Sequence, residues 1–222
     1  MTELTWILDP VTGTLTAEGL TKEEAAALAD DILPPAREVN CARPLTTAAL
    51  ARSSNLSGMM LRVHRIYHGS VVDGPGRRSV LQLQGCPLRC PGCYVPETHD
   101  PTGGVPQGVD DVVAALLDPI GEPRDGATIL GGEPFFQPVG LTAVLRELNA
   151  RHVHIVVYSG YTLEALARRR EPEVREALRL IDLLIDGPYI AALSAGAGEW
   201  RGSRNQRLVP RPSRVLDELH RN

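Results

Sequence analysis

Lysine is almost missing from this chain. Lys22 is its only lysine in 222 residues, and 27 acidic side chains outweigh 23 basic ones to leave a net charge of −4. That balance excludes the large basic face that grips a phosphate backbone, so no nucleic-acid partner is expected. Long apolar runs are missing too: none approaches the roughly 20 residues of a membrane-spanning helix. The N-terminal segment lacks a basic region followed by an apolar stretch, so no secretory signal is expected. Cysteine is scarce, with four residues in all. Three of them, Cys86, Cys90 and Cys93, fall within eight positions. A secreted disulfide scaffold spreads its cysteines to staple distant loops, whereas a tight cluster without a signal points to metal binding in a reducing cytoplasm.

The polar, small-residue stretch Arg52–Gly58 reads as a linker that separates an N-terminal appendage, residues 1–58, from a main domain, residues 59–222. In the appendage, residues 5–16 predict a short hairpin turning at Asp9–Gly13. Thr21-Lys-Glu-Glu24 is a capping box leading into a helix over Ala25–Ile32, which Pro34 and Pro35 stop. From Leu61 strands alternate with helices. Strands are expected over Ser79–Gln84, Ala127–Leu130, His152–Tyr158, Ile181–Ile185 and Arg207–Val209. Helices are expected over Val109–Leu117, Val139–Leu148, Thr162–Arg169, Glu173–Arg179 and Pro212–His220. Repeated strand–helix units imply a parallel α/β sheet, and about five units are too few to close an eight-stranded barrel, so an open, partial parallel β/α barrel is expected. Its site should lie at the C-terminal ends of the strands.

Cys86-Pro-Leu-Arg-Cys90-Pro-Gly-Cys93 follows directly on the first of these strands. Thiolates are soft ligands suited to iron–sulfur clusters or zinc. Three thiolates leave one iron of a cubane without a protein ligand, and an open position is what a catalytic metal keeps for a reacting group. The plain alternative is a structural zinc held by these three cysteines and His99. Cys41 reads as an unrelated thiol, and His64, His68, His152 and His154 fit no ligand spacing with the cluster.

These residues resemble the radical S-adenosylmethionine (radical SAM) enzymes, whose mark is the C-x3-C-x2-C loop after a first barrel strand. Gly131-Gly132-Glu133-Pro134 looks like the motif that binds the methionine amino group in that superfamily. Within it the likeness narrows to activating proteins of glycyl radical enzymes, of the anaerobic ribonucleotide reductase type. It is carried further by Asp73-Gly-Pro-Gly76, Tyr158-Ser-Gly-Tyr-Thr162, Asp186-Gly-Pro-Tyr189 and Trp200–Arg207, in family order over about residues 61–210. Two departures stand out. Gly92 occupies a position that is aromatic in many members, with Tyr94 one step later, an arrangement the reductase-type activating proteins share. Residues 1–58 have no counterpart in the short activating proteins.

The resemblance implies a cytoplasmic enzyme with a [4Fe-4S] cluster on Cys86, Cys90 and Cys93, and S-adenosylmethionine as second cofactor. It implies reductive cleavage to a 5′-deoxyadenosyl radical, an electron from a flavodoxin or ferredoxin, and hydrogen abstraction from a glycine of a partner glycyl radical enzyme. Gly131 and Gly132 let the backbone approach the ligand, and Glu133 accepts from its ammonium. The backbone at Gly92, Cys93 and Tyr94 meets adenine. Ser159 is a candidate for the methionine carboxylate or the ribose, or else belongs to a strand-end turn. Asp186 contacts the cofactor or substrate backbone, or else caps a helix. The Trp200–Arg207 loop closes the site, docks a partner, or is simply solvated. A radical SAM enzyme acting on a small molecule or peptide, and a non-catalytic zinc-binding interaction module, are the competing readings.

Overall fold

A computed structural model describes residues 5–8, 15–18, 58–118 and 124–213. By its internal contacts the chain falls into two units, Met1–Ala51 and Arg52–Asn222. In the first, β1 (Thr5–Leu8) and β2 (Leu15–Glu18) pair antiparallel, Thr5 opposite Glu18, as the hairpin pattern predicts. The helix expected over Ala25–Ile32, and all but the first two residues of Pro212–His220, lie outside the described residues.

The second unit is built on a seven-stranded sheet. Its strands are β3 (Met60–Ser70), β4 (Arg78–Leu83), β5 (Val105–Gly108), β6 (Gly126–Gly131), β7 (Ile155–Ser159), β8 (Leu183–Asp186) and β9 (Arg207–Pro210), in spatial order β5-β3-β4-β6-β7-β8-β9. The four central strands β4, β6, β7 and β8 run parallel. The outer ones do not: β3 pairs antiparallel with both β4 and β5, and β9 pairs antiparallel with β8. The expected parallel sheet is therefore a mixed one, open at both edges. The physical reason is connection length. Only the short segment 71–77 joins β3 to β4, and so short a return permits an antiparallel neighbour but no crossover. Pro106 and Pro210 sit in the edge strands, where a missing N–H costs no ladder bond.

Among the described residues four α-helices connect and cover the strands: α1 (Val109–Leu117), α2 (Pro138–Ala150), α3 (Leu163–Ala167) and α4 (Pro172–Leu180). In α1 the buried residues are Val109, Val112, Val113 and Leu116, a helical stripe, while Asp110 and Asp111 in the first turn complement the helix dipole. Pro138 and Pro172 each open a helix, where no N–H is needed. Thr142 ties α2 to α4, its hydroxyl bonding the carbonyls of Pro138 (2.7 Å) and Glu173 (2.8 Å).

The strands separate core from site by their period of two. Leu81, Leu83, Ile129 and Val157 join the helices in one apolar core, whereas the intervening Gln82, Leu130 and Tyr158 line a cavity on the opposite face. The loop after β3 folds beneath that face. The Thr128 hydroxyl donates to the Asp73 carbonyl at 2.8 Å, and a Cβ at Gly74 would lie 3.2 Å from Val156. Nearby Arg78, fully buried in β4, donates to the Ala127 carbonyl (2.6 Å), the His154 carbonyl (3.0 Å) and Thr128 Oγ1 (3.0 Å). Burial lowers its pKa to about 10.

Candidate active site

The cavity, of about 440 Å³, opens at the C-terminal ends of the parallel strands. Each strand end supplies a piece. After β4 comes the cysteine loop, pinned to the chain beyond it by Gly85 N–H to the Thr98 carbonyl (2.8 Å) and Cys86 N–H to the His99 carbonyl (3.3 Å). Cys93 N–H closes a turn onto the Cys90 carbonyl at 3.1 Å. The three thiols are half-buried, in no disulfide, and all line the cavity. Burial pushes the Cys86 thiol up, while backbone N–H groups of Arg89 and Leu88 pull it down. Among the described residues no three His, Cys, Asp or Glu side chains converge on one metal-ion position. Three soft thiolates suit an iron–sulfur cluster, and His99 also lines the cavity with its Nε2 buried and unpartnered.

After β6 come Gly131, Gly132 and Glu133. The two glycines are needed, for a reason other than ligand approach. A Cβ at Gly131, whose φ is 118°, would fall on the backbone of Leu83, and one at Gly132 would fall on the Gly85 carbonyl. The turn is laced to the cysteine loop by Gly132 N–H to the Leu83 carbonyl (2.8 Å) and Glu133 N–H to the Gly85 carbonyl (2.9 Å). The glycines therefore bring the two motifs together backbone to backbone.

Glu133 is 1% exposed. Its Oε1 accepts from the Ser159 hydroxyl (2.9 Å) and Phe135 N–H (3.1 Å), its Oε2 from Gly160 N–H (2.8 Å). Burial outweighs these donors and raises its pKa from 4.5 to about 7. Between those values the unfolded chain ionises Glu133 while the folded chain keeps the proton, so stability falls as pH rises. Cluster-free wild type should accordingly lose about 3 kcal/mol relative to Glu133→Gln between pH 4.5 and 7, measured by urea unfolding at several pH values.

Ser159 lines the cavity, but its hydrogen is given to Glu133 and its oxygen accepts from Tyr161 N–H at 3.1 Å. It therefore has no hydrogen left for a ligand carboxylate. Two other expected residues are not among those lining the cavity. Gly92, at φ 73°, is exposed, and a Cβ there would come 3.0 Å from the Ala191 Cβ. Asp186 is fully buried and accepts from Arg207 at Oδ1 (2.9 Å) and Oδ2 (2.5 Å), and from Leu163 N–H at the start of α3 (2.6 Å). Arg207 also holds Glu164 through both oxygens (3.1 and 2.8 Å), which draws the Glu164 carboxyl down to about 2. Asp186 is thus a joint between β8, β9 and α3. Arg207→Ala strands its carboxylate in the interior and should destabilise the protein by about 3 kcal/mol in thermal or denaturant unfolding.

Further wall residues come from the other motif segments. Asp73 reaches the cavity from the loop after β3, with Tyr67 Oη (2.9 Å) and Ser70 Oγ (2.5 Å) donating to its Oδ2. Tyr94 and Tyr189 meet at the mouth, ring centroids 5.0 Å apart and tilted by 47°. The Trp200–Arg207 loop turns inward, placing Trp200, Arg201, Gly202 and Gln206 on the wall. The Asp-Gly-Pro-Gly and Trp-Arg-Gly-Ser segments were the available signals, since both are small-residue loops joined to strand ends.

An open α/β sheet with three thiols on the loop beyond its first parallel strand defines an iron–sulfur protein. The profile of the 4Fe-4S single cluster domain family matches residues 72–209, and the chain belongs to that family. Over 153 residues it is 32% identical to the anaerobic ribonucleoside-triphosphate reductase-activating protein of Salmonella typhi, covering 66% of this chain and 96% of that one. The Vibrio cholerae protein of the same name is 33% identical with the same coverage. The pyruvate formate-lyase-activating enzyme of Clostridium pasteurianum is 33% identical over 102 residues, 45% of this chain and 43% of that one. The resemblance to radical SAM activating enzymes drawn from the motifs holds, and with it the [4Fe-4S] cluster and S-adenosylmethionine as cofactors. Among the described residues no helix is long and apolar enough to cross a membrane.

Proposed function

We propose that this chain is a radical SAM activating enzyme that installs a radical on a glycine of a partner glycyl radical enzyme of the anaerobic ribonucleotide reductase type. One observation carries the reading: a single cavity unites the three thiols of Cys86, Cys90 and Cys93 with the Gly131-Gly132-Glu133 turn. When bound, the cluster and S-adenosylmethionine supply one-electron cleavage of the sulfonium and a 5′-deoxyadenosyl radical. The protein's part is placement. Cys86, Cys90 and Cys93 would hold the cluster through their thiolates. Glu133 offers Oε2, which accepts only one hydrogen bond within the protein, to the ligand ammonium. Ser159 and Gly160 hold that carboxylate in place. The apolar and aromatic wall excludes water from a reactive hydrogen-abstracting species.

The finer parts of the reading follow from it. The open sheet is a partial barrel of the radical SAM type. Residues 1–58 are an appendage to the domain 59–222. The electron comes from a flavodoxin or ferredoxin, and the setting is the cytoplasm. The test is anaerobic iron–sulfur reconstitution, dithionite reduction with S-adenosylmethionine, and chromatography of 5′-deoxyadenosine. It is followed by electron paramagnetic resonance of a mixture with the glycyl radical protein encoded in the same genome. A glycine-centred doublet supports the full reading. 5′-Deoxyadenosine without that doublet moves the substrate to a small molecule or peptide, and a colourless zinc protein removes the enzyme.

A further inference from the structure

The cavity's charges are unevenly matched to the ligand proposed for it. Among its described lining residues, Asp73 and Glu133 are carboxylic acids and three are thiols, while Arg201 is the one arginine or lysine. S-adenosylmethionine carries two positive centres, the ammonium and the sulfonium, and one carboxylate. The positive centres meet acids. The carboxylate needs donors, and three of those around Glu133 are spent: the Ser159 hydroxyl and Gly160 N–H serve Glu133, and Tyr161 N–H serves Ser159.

Arg201 is in the opposite condition. Its Nε is buried and has no hydrogen-bond partner. A buried guanidinium N–H without an acceptor is costly and rare in a finished structure. The surrounding backbone is arranged to put it there. Trp200 takes a left-handed φ of 57°, unfavourable for a bulky side chain. At Gly198 a Cβ would strike Arg201 Nη2, so glycine is what lets the guanidinium lie against this turn. The loop is held from behind by Gln206, whose Oε1 accepts from Gly202 N–H (2.7 Å) and Ser203 N–H (3.2 Å) and whose Nε2 donates to the Gly187 carbonyl (3.0 Å). Asn205 Nδ2 adds a bond to the Pro188 carbonyl at 2.7 Å. A strained, braced loop thus holds an arginine with an unpartnered Nε in the cavity wall, and the planar fork of arginine suits a carboxylate.

We propose that Arg201 binds the carboxylate of the methionine moiety of S-adenosylmethionine. The inference rests on S-adenosylmethionine being the ligand of this cavity. Glu133 and Arg201 then grip the ammonium and carboxylate, which fixes the ligand's amino-acid end by two charged contacts of opposite sign.

The experiment compares two ligands on reconstituted, oxidised enzyme, where no cleavage occurs: S-adenosylmethionine and its decarboxylated analogue, which keeps the sulfonium, adenosine and amine. Dissociation constants are measured by anaerobic equilibrium dialysis for wild type, Arg201→Gln and Arg201→Lys, with iron content and thermal midpoint as controls. Arg201→Gln should weaken S-adenosylmethionine roughly 10- to 100-fold and leave the analogue within about 2-fold, with Arg201→Lys intermediate. Equal affinity of wild type and Arg201→Gln for S-adenosylmethionine overturns the proposal, including the case where only radical transfer to the partner protein is lost. Equal losses for both ligands, or a drop in iron content, also overturn it, because they mark a structural role. Wild type that binds neither ligand refutes the reading of the cavity itself and the proposal with it.

Discussion

Replacing Cys90 with alanine abolishes cluster assembly and brings 5′-deoxyadenosine formation to background. The reasoning is one of ligand count. The thiols of Cys86, Cys90 and Cys93 line one cavity, and no other cysteine is among its described lining residues. With two thiols left, two irons lack protein ligands, and the cluster is lost to chelation or oxidation. The fold should survive, since Cys90 is only half-buried and contributes its carbonyl, not its side chain, to the turn that Cys93 N–H closes. Iron and sulfide content, visible absorption and product yield should therefore fall together, while the far-ultraviolet circular dichroism stays that of wild type. Cys41→Ala serves as control and should leave all four unchanged. A Cys90→Ala protein that keeps full iron content would show that the loop is not the cluster's holder.

Gly132→Ala should act on both halves of the site at once. The new methyl group falls on the Gly85 carbonyl, backbone against backbone, and neither segment is a flexible side-chain tip that can swing aside. Relief means pulling the Gly131–Glu133 turn away from the cysteine loop, which breaks the Gly132–Leu83 and Glu133–Gly85 hydrogen bonds. Overpacking of this kind costs about 1–3 kcal/mol, and the lost bonds put the expected loss at the upper end, read from the denaturant midpoint. Because Cys86 follows Gly85 directly, the displacement also reaches the first thiol, so iron retention and S-adenosylmethionine affinity fall as well. An unchanged midpoint with full cluster content would show that the two turns do not touch.

The cysteine loop, the Gly131–Glu133 turn and the central parallel strands could be read from residue order, because each depends on local chemistry. Helix α1 was bounded at Val109 and Leu117 by its apolar stripe alone. Strand β3 escaped because only Leu61 and Val63 of its eleven residues are buried, a pattern too short to stand out, while Met60, Arg65 and Gly69 are exposed. Strand β5, Val-Pro-Gln-Gly, has no strand propensity and exists because β3 offers it an edge. The roles of Gly131 and Gly132 depended on which backbone lies opposite. Asp186 was placed at a strand end, where a functional group is expected, yet its partner Arg207 lies 21 positions away and claims it. Arg201 was visible only as one charge in a polar loop, since its lack of a partner is a property of the assembled cavity.

Trp200 gives the site an optical handle. The chain has two tryptophans, Trp6 and Trp200. Trp6 belongs to β1 in the other unit, whereas Trp200 stands in the wall that holds the thiols. An iron–sulfur cluster absorbs broadly where indole emits, so energy transfer should quench Trp200 as the cluster loads. In a Trp6→Phe background the emission of this single fluorophore follows cluster insertion and ligand entry in real time, without label or radioisotope.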